Sequence, residues 1–537
     1  MATNLMTSRG RAASTYLLVP AAVVVYTLAW LPIELTIDKF LYEDLYYYLK
    51  IARNIVHGHG ATFDGFEPTN GFHPLWMAVS VAIEALFSRD LAVHVLLSVS
   101  ATLHVLQGHL LFRIVRNGVP EVVALFITAL FLFNYRIIAV NLCGLETPLA
   151  GFLLLLVIHY LYFRFSESTR VHPISDYFVL GFLLGIATLA RFDLGLFAFF
   201  ATSAALLIPL VADTRTTPNC RRILGVVCFR GCATVIAYLL CLTPWFLWST
   251  YHVGALLPES RRAIALLSND ATFDLGSRFF SSLWWLTDTA NAMSLWPVVE
   301  PKSLVNYVGL LPISLFTIVM VLAVLAQRKL ETRLLLGILW AYAVCHLAYY
   351  GMFVRAEIRY LMPFVIVFYV GLGFCAGGVP ELSPSRRKWL QSLVALVLTF
   401  NLLTSSVHAW QENQAATRTH EDHSDLLRMA VWIRDHLPSN AMIGAWNAGI
   451  IGYYSQKHVV NLDGVVNSAV IDVNEDRRLA SYLEARSISY LVDLESQMNA
   501  KAVRFGLPVD WRRDYREIHR VGKVVLLQRL RPRRGAS

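Results

Sequence analysis

Charged side chains are scarce in this chain. Asp, Glu, Lys and Arg make up 15% of its 537 residues, whereas soluble domains contain roughly 25%. Hydrophobic residues make up 56%, which excludes a soluble globular protein and indicates transmembrane helices of about 20 residues. The net charge is +9, but outside the C-terminal part most of the basic excess lies in short loops between apolar runs. That distribution is typical of the positive-inside rule and argues against a nucleic-acid partner.

Cysteine motifs and repeats are also missing. The seven cysteines include no CxxC pair and no zinc-ligand spacing, and none follows residue 375. We therefore interpret them as small apolar packing residues. The sequence shows no internal repeat and no low-complexity tract. Transporters commonly contain internal repeats and helices broken near mid-membrane, and we see neither feature here.

Long apolar runs predict a mostly α-helical, polytopic membrane bundle of about 11 spans. The runs lie at 15–35, 91–113, 120–139, 147–163, 177–190, 194–212, 223–249, 304–326, 333–352, 358–378 and 388–408. A further run at 74–88 is shorter, about 15 residues, which favours a half-inserted or interfacial helix. We interpret the first run as a retained anchor, not a cleaved signal peptide.

The basic loops predict the orientation of the bundle. If 74–88 does not cross, the clusters at Arg9/Arg11, Arg113/Arg116, Arg164/Arg170, Arg215/Arg221/Arg222, Arg328/Lys329/Arg333 and Arg386/Arg387/Lys388 all fall on one side. By the positive-inside rule this side is the cytoplasm. The N-terminus is then cytoplasmic. The loops 36–90, 140–147 and 250–303 then lie on the outer face of the cell (inner or plasma) membrane, together with everything after about 409.

The sequence changes character near residue 409. Helix-like stretches at 425–437 and 475–486 alternate with strand-like ones at 441–445, 457–462, 489–493 and 516–528. We therefore divide the chain into a membrane domain, 1–408, and a small extracytoplasmic α/β domain, 409–537. Several polar and small residues of this domain could line an acceptor site, although turns between strands explain them more simply: Trp446, Asn447, Gly449, Asn461, Asp463, Gly464 and Asn467.

Two adjacent acids follow the first apolar run. Glu43 and Asp44 begin an amphipathic helix rich in tyrosine, just where the chain should leave the bilayer. Carboxylates at a helix N-terminus often serve only as caps. The alternative is a general base, because a carboxylate near a bilayer can accept a proton from a hydroxyl.

Other ionisable groups are predicted on the same outer face. Glu146 is a second acid, which either caps the helix after it or acts with Asp44. Arg191, Arg355 and Arg359 are candidates to bind a phosphate, since guanidinium groups form paired hydrogen bonds with it. The candidates for substrate binding are Asn70, His73, Asp193, Glu259 and Arg261, although Arg191 and Asp193 are equally explained as a local ion pair.

A metal site in the first outer loop is a weaker alternative. His57, His59 and His73 share this loop with Asp44 and Asp64, but their spacing matches no established metal motif. Another set of polar residues, His94, His104, Gln107 and His109, lies in one span and is better explained as packing inside the bundle.

Several segments together resemble one family. They are EDLYYYLKIARN, FDGFEPTNGFHPLW, NLCGLETPLAG, LARFDLG, HVGALLPES, EIRYLMP and NLDGVVN. The chain resembles GT-C glycosyltransferases, in particular the branch of protein O-mannosyltransferases and lipid A aminoarabinose transferases, and a bacterial group of uncharacterised members. The resemblance covers nearly the whole chain.

The resemblance implies a membrane glycosyltransferase that takes a sugar from a polyprenyl-phosphate donor. The acceptor would be a hydroxyl of a protein, lipid or polysaccharide. In that family an acid of the first outer loop is the base, which corresponds here to Asp44, with Glu43 beside it, and a second acid corresponds to Glu146. This chain has Glu-Asp where Asp-Asp or Asp-Glu is common, so either residue could be the base. Metal dependence varies within the family, so a divalent metal ion stays open and no ligand is assigned.

Two rival functions use the same features. A transporter or flippase of a lipid-linked substrate would also need these helices and buried charges, but here the charges cluster at one face. A non-catalytic assembly or receptor protein would use the outer α/β domain to bind a partner.

Overall fold

The chain folds into a helical bundle and a smaller α/β unit. The computed structural model describes residues 2–166, 172–214, 220–268, 293, 310–353, 357–376 and 421–530. The predicted span at 388–408 and the predicted domain boundary near 409 lie outside these residues, as does Arg355.

The first part of the bundle contains twelve described helices. They are α1 (Ala2–Ala29), α2 (Ile33–Thr36), α3 (Asp44–Val56), α4 (Pro74–Leu86), α5 (Arg89–Arg116), α6 (Glu121–Leu132), α7 (Tyr135–Asn141), α8 (Thr147–Leu161), α9 (Ile174–Ala190), α10 (Leu194–Thr214), α11 (Cys220–Val253) and α12 (Ser260–Ser268). Three more follow: α13 (Leu310–Ala326), α14 (Leu330–Phe353) and α15 (Ile358–Ala376). Helices thus occupy the predicted apolar runs that fall within the described residues.

The polytopic membrane fold is confirmed, whereas the number of spans stays a prediction. Six helices of the described part are long and apolar enough to cross a bilayer. A seventh span is formed if α6 and α7 count as one, although they are bent by 58°. This break was not indicated by the sequence; Asn134 produces it by capping α7, its side chain accepting a hydrogen bond from the N–H of Ile137 at 3.2 Å.

Helix α4 corresponds to the short apolar run at 74–88. It has 13 residues, which at 1.5 Å per residue is about 20 Å and too short for a bilayer core of about 30 Å. Pro74 occupies its first turn, where the missing N–H removes no helical hydrogen bond. Helix α3 packs against it, and Arg53 of α3 pairs with Glu84 of α4 at 3.1 Å.

The C-terminal unit is α/β, as predicted. Its helices are α16 (Glu421–His436), α17 (Gly449–Tyr454), α18 (Ser468–Glu475), α19 (Leu479–Ala485) and α20 (Glu495–Arg504). Its strands are β1 (Met442–Ala445), β2 (His458–Asn461), β3 (Tyr490–Leu494), β4 (Tyr515–Val521) and β5 (Val524–Arg529). The sheet order is β2-β1-β3-β5-β4, with β1 parallel to β2 and β3, and β5 antiparallel to β3 and β4.

Two predicted elements of this unit are split. The stretch 516–528 forms two strands, since the chain reverses at Gly522, which has φ +51°. The helix-like stretch 475–486 is interrupted after α18, where Arg477 adopts φ 55° and ends the helical path. Both breaks lie in polar sequence, at Asp476-Arg477-Arg478 and at Gly522-Lys523, which the predicted elements ran across.

One hydrophobic core joins the C-terminal unit to helices α3 and α4. It combines buried side chains of α3 and α4, such as Ile51 and Trp76, with Ile443 of β1 and Ile451 of α17. The transmembrane helices have a separate core, built largely from α8, α9, α10, α14 and α15. The C-terminal unit is therefore packed directly on the segment that carries Glu43 and Asp44.

Candidate active site

Asp44 is the first residue of α3. Its Oδ2 accepts a hydrogen bond from Nη1 of Arg359 at 2.9 Å, and 42% of its side chain is exposed. Asp44 is thus an acid that is open to solvent and paired with a cation. It lies at the end of the bundle that carries the C-terminal unit, which we call the domain end.

Arg359 is the second residue of α15 and lies between two carboxylates. Its Nε donates to Oε2 of Glu357 at 3.1 Å, in addition to the bond from Nη1 to Asp44. Its guanidinium group lies 4.8 Å from the ring centre of Tyr42 and 4.7 Å from that of Tyr360. These rings and carboxylates hold the cation in one position beside Asp44.

Glu146 directly precedes α8 and is buried. Tyr48 donates its hydroxyl hydrogen to Oε2 of Glu146 at 3.3 Å, and Nε2 of His73 lies 3.7 Å from Oε1. Burial lowers the pKa of the His73 imidazole, although the carboxylate of Glu146 acts in the opposite direction. Because Tyr48 lies one turn after Asp44, α3 brings the second acid into the same site.

Arg191 joins these parts together. Its Nε and Nη2 donate to the two carboxylate oxygens of Asp193 at 3.2 and 2.8 Å. Its Nη1 donates to the main-chain oxygen of Arg359 at 2.8 Å, and its Nε lies 4.0 Å from Glu146. Burial raises the pKa of the Asp193 carboxyl, but the charge of Arg191, the hydrogen bond from Tyr350 and the nearby His346 and His73 together bring that pKa below its usual range. The predicted local ion pair therefore exists and is part of a larger network.

Glu43 points away from this network. Its Oε1 accepts a hydrogen bond from the N–H of Gly449, the first residue of α17, at 2.9 Å. Burial raises the pKa of Glu43, and the nearby charges of Asp493, Asp44 and Asp463 raise it further. The two adjacent acids thus have different surroundings.

Asn70 and Glu259 lie next to Arg262, which forms another contact with the C-terminal unit. Asn70 is fully buried; it donates to Oγ of Ser249 at 2.8 Å and accepts from the N–H of Glu259 at 3.0 Å. The carboxylate of Glu259 lies 3.8 Å from Arg262, which also pairs with acids of α18. Arg261 is exposed on α12. Asn70 therefore supports a loop, and its predicted contact with substrate stays a prediction, like those of Glu259 and Arg261.

The histidines of the first outer segment do not converge. Nδ1 of His57 lies 2.7 Å from the main-chain oxygen of Arg53, whereas Asp64 accepts hydrogen bonds from the N–H groups of Phe66 and Glu67, each at 2.9 Å. Within the described ranges, no three His, Cys, Asp or Glu side chains lie close enough together to hold a metal ion.

Sequence reasoning missed the tyrosines of the site. Tyr350 donates to Oδ2 of Asp193 at 2.7 Å and accepts from Nη2 of Arg191 at 3.3 Å. Tyr48 contacts Glu146, and its hydroxyl also accepts the N–H of His73 at 3.0 Å. The runs of tyrosine at 46–48 and 349–350 were the available signal, but only the fold shows which ring reaches the acids.

Comparison with known proteins bears on the fold. Residues 408–534 match a domain of unknown function, DUF8728, and no curated protein sequence matches the chain. The structure is similar to ArnT from Cupriavidus metallidurans bound to undecaprenyl phosphate. The two chains are 15% identical with a TM-score of 0.58, and the alignment covers 97% of this chain and 99% of that one.

An archaeal enzyme has a similar structure. The oligosaccharyltransferase AglB from Archaeoglobus fulgidus, in complex with an inhibitory peptide and a dolichol-phosphate, is 12% identical with a TM-score of 0.52. The alignment covers 94% of this chain and 72% of that one. The predicted resemblance to GT-C glycosyltransferases is confirmed at the level of the fold: the chain is a multi-pass membrane protein with this architecture.

Proposed function

We propose that this protein is an integral membrane glycosyltransferase. It moves a sugar from a polyprenyl-phosphate donor to the hydroxyl of a protein, lipid or polysaccharide acceptor. The observation that carries the proposal is the half-exposed carboxylate of Asp44, held 2.9 Å from the guanidinium of Arg359 at the domain end. A base beside a fixed cation is what attack by a hydroxyl on a sugar phosphate requires.

Asp44 is the proposed base. As the acceptor oxygen bonds to the anomeric carbon, its proton passes to Oδ of Asp44. The bond from the anomeric carbon to the phosphate oxygen breaks at the same time, and the lipid phosphate leaves with that electron pair. The sugar passes through a state resembling an oxocarbenium ion, as in glycoside hydrolysis.

Arg359 is the proposed partner of the donor phosphate. The leaving phosphate gains negative charge as the sugar departs, and a nearby fixed guanidinium stabilises that charge without having to reorganise. Arg355, four residues before it in sequence, is proposed to assist. Arg191 contributes positive charge, but its donors already hold Asp193 and the main chain of Arg359, so its proposed role is to hold the site in place.

Glu146 is the proposed second acid. Its hydrogen bond from Tyr48 and its proximity to His73 and Arg191 fix its position. A buried carboxylate so held can orient polar groups of the sugar, and His73 and Asp193 border the same space. This role is independent of the proton transfer assigned to Asp44.

The likeness to two lipid-phosphate complexes supports the donor class. ArnT was solved with undecaprenyl phosphate and AglB with dolichol-phosphate. By the positive-inside argument, the proposed reaction takes place on the outer face of the cell membrane, with the N-terminus in the cytoplasm.

Sugar transfer in isolated membranes tests the proposal. Radiolabelled polyprenyl-phosphate sugars would be supplied to membranes containing the wild-type chain, Asp44→Asn or Asp90→Asn. Asp90 is an exposed acid in the first turn of α5, so its variant is a matched control and should transfer like the wild type. Asp44→Asn should lose about 10²- to 10⁴-fold in rate while inserting normally. An active Asp44→Asn enzyme would contradict the assignment, and movement of the donor across vesicles without transfer would favour the transporter.

A further inference from the structure

Glu43 contacts the C-terminal unit through both its side chain and its main chain. Its Oε1 accepts the N–H of Gly449 at 2.9 Å. A Cβ atom placed on Gly449 would lie 2.6 Å from the main-chain oxygen of Glu43 and 3.1 Å from its Cγ. Real Cβ atoms do not approach a carbonyl oxygen this closely, so only glycine allows α17 to meet the N-terminus of α3 in this way.

Further close contacts extend along the same surface. A Cβ atom on Gly452 would lie 2.5 Å from the ring of Phe63, and one on Gly71 would overlap the main-chain oxygen of Val465. The hydroxyl of Tyr47 accepts the N–H of Ala448 at 3.2 Å. The backbones of the segment 43–71 and of the C-terminal unit therefore meet directly at two points, and side chains meet the backbone at two more, which leaves little room for sliding.

This contact is adjacent to the proposed base. Glu43 and Asp44 are consecutive at the start of α3, so a shift of Glu43 moves Asp44 relative to Arg359, which is held from its own segment by Glu357 and the ring of Tyr360. The distance between base and cation thus depends on how the C-terminal unit holds Glu43.

We infer that Glu43 is a positioning residue and not the base, and that Gly449 of the C-terminal unit holds it so that Asp44 meets Arg359. This inference rests on the proposed glycosyltransferase function. It gives the C-terminal unit a role in catalysis through the first turn of α3. The differing surroundings of the two acids agree with it, because Glu43 lies against a main-chain N–H whereas Asp44 faces solvent and a cation.

Conservative and disruptive substitutions separate a positioning role from proton transfer. Glu43→Gln keeps an oxygen that can accept the Gly449 N–H but cannot act as a base. It should retain transfer within about threefold, as expected for exchanging one hydrogen-bond acceptor for another, with an unchanged pH profile. Glu43→Ala removes the acceptor and should lower kcat about 10- to 100-fold, because small misplacement of a catalytic group is costly. The KM for the donor should change little.

Gly449→Ala disturbs the same contact from the other side. It should lower kcat about 100-fold, whereas Gly337→Ala in α14 should not, because nothing lies within 4 Å of a Cβ added at Gly337. Hydrogen exchange followed by mass spectrometry supplies a readout that needs no substrate. Peptides covering 446–454 and 43–50 should exchange faster in Glu43→Ala and Gly449→Ala, and at the wild-type rate in Glu43→Gln.

The outcomes are distinguishable. If Glu43→Gln loses transfer as fully as Asp44→Asn while exchange stays at the wild-type rate, Glu43 takes part in the chemistry and the inference is wrong. Unchanged exchange in Glu43→Ala would also overturn it. If the wild-type chain transfers no sugar at all, the proposed function fails; faster exchange in Glu43→Ala would then still support the contact between Glu43 and Gly449.

Discussion

The two ends of the bundle carry different arrangements of buried charge. At the end away from the C-terminal unit, Arg164 pairs with both carboxylate oxygens of Asp176 at 3.1 and 3.0 Å, and His172 lies 3.9 Å from that acid. At the domain end, Arg191 and Arg359 connect several acids into one network. The same two helices contribute to both ends, since α8 runs from Thr147 towards Arg164 and α9 from Asp176 towards Arg191.

The two ends differ in which charged side chain is exposed to solvent. In the pair away from the C-terminal unit the exposed member is the cation, since 51% of the Arg164 side chain is accessible but only 6% of Asp176. At the domain end the side chains of Arg191 and Arg359 are only 3% and 14% exposed, whereas that of Asp44 is 42% exposed. An anchoring ion pair needs no accessible acid, whereas a proton acceptor does. The comparison therefore supports a structural role for one end and a chemical role for the other.

Removing the guanidinium group at each end should give the largest contrast. Arg359→Ala should lower transfer about 10²- to 10³-fold, as expected for losing one group that stabilises charge in the transition state. Arg164→Ala should change the rate per folded molecule by less than about threefold. The measurement is kcat from a saturating donor, normalised to folded protein in detergent. Equal losses in the two variants would remove the distinction between the ends.

Replacing arginine by lysine tests the geometry of each pair without removing its charge. Lysine cannot form the paired bonds of Arg191, whose side chain is only 3% exposed, so Arg191→Lys should cost about 2 kcal/mol of unfolding free energy. Arg164→Lys should cost about 0.5 kcal/mol, because half of that side chain is in solvent. Thermal unfolding of the full chain in detergent measures both, and a larger loss for Arg164→Lys would contradict the expectation that the buried arginine depends more on its paired hydrogen bonds.

A smaller effect on stability is expected when the pH is lowered. Burial lowers the pKa of His73 in the folded protein, so the unfolded chain binds the proton more readily. Stability from the neutral ring is present above the ordinary histidine pKa of about 6.5 and falls as the pH drops below it, by at most about 1.4 kcal/mol per pH unit. His73→Gln should flatten this dependence between pH 6.5 and 5. His57→Gln, at an exposed position, should leave the slope unchanged; the same slope in both variants would mean that another group titrates.

Much of the fold was predictable because it depends on local patterns. Apolar runs indicated the helices, and the short run at 74–88 anticipated the length of α4. Alternation of strand-like and helix-like stretches indicated the α/β unit. The break between α6 and α7, the reversal at Gly522 and the interruption at Arg477 escaped prediction, because each depends on one backbone angle or one cap and not on hydrophobic periodicity.

The candidate site was only partly predictable. Asp44, Glu146, Arg191 and Arg359 were found because ionisable groups beside membrane helices are rare. Their pairing was not, since the hydrogen bond between Asp44 and Arg359 joins residues 315 positions apart in the chain. Asn70 was predicted as a substrate-binding residue, and this stays a prediction. In the structure its side-chain amide forms hydrogen bonds with Ser249, Leu257 and Glu259.

The sequence by itself determined a membrane bundle with an α/β unit and an acidic pair at the start of an interfacial helix. It left open which acid of the pair is available for chemistry. Consecutive residues of a helix point about 100° apart, so Glu43 and Asp44 lie on different sides of α3. Only the tertiary structure, by bringing Gly449 to one side of α3 and Arg359 to the other, decided that Glu43 is turned into a domain contact and Asp44 towards the charged network.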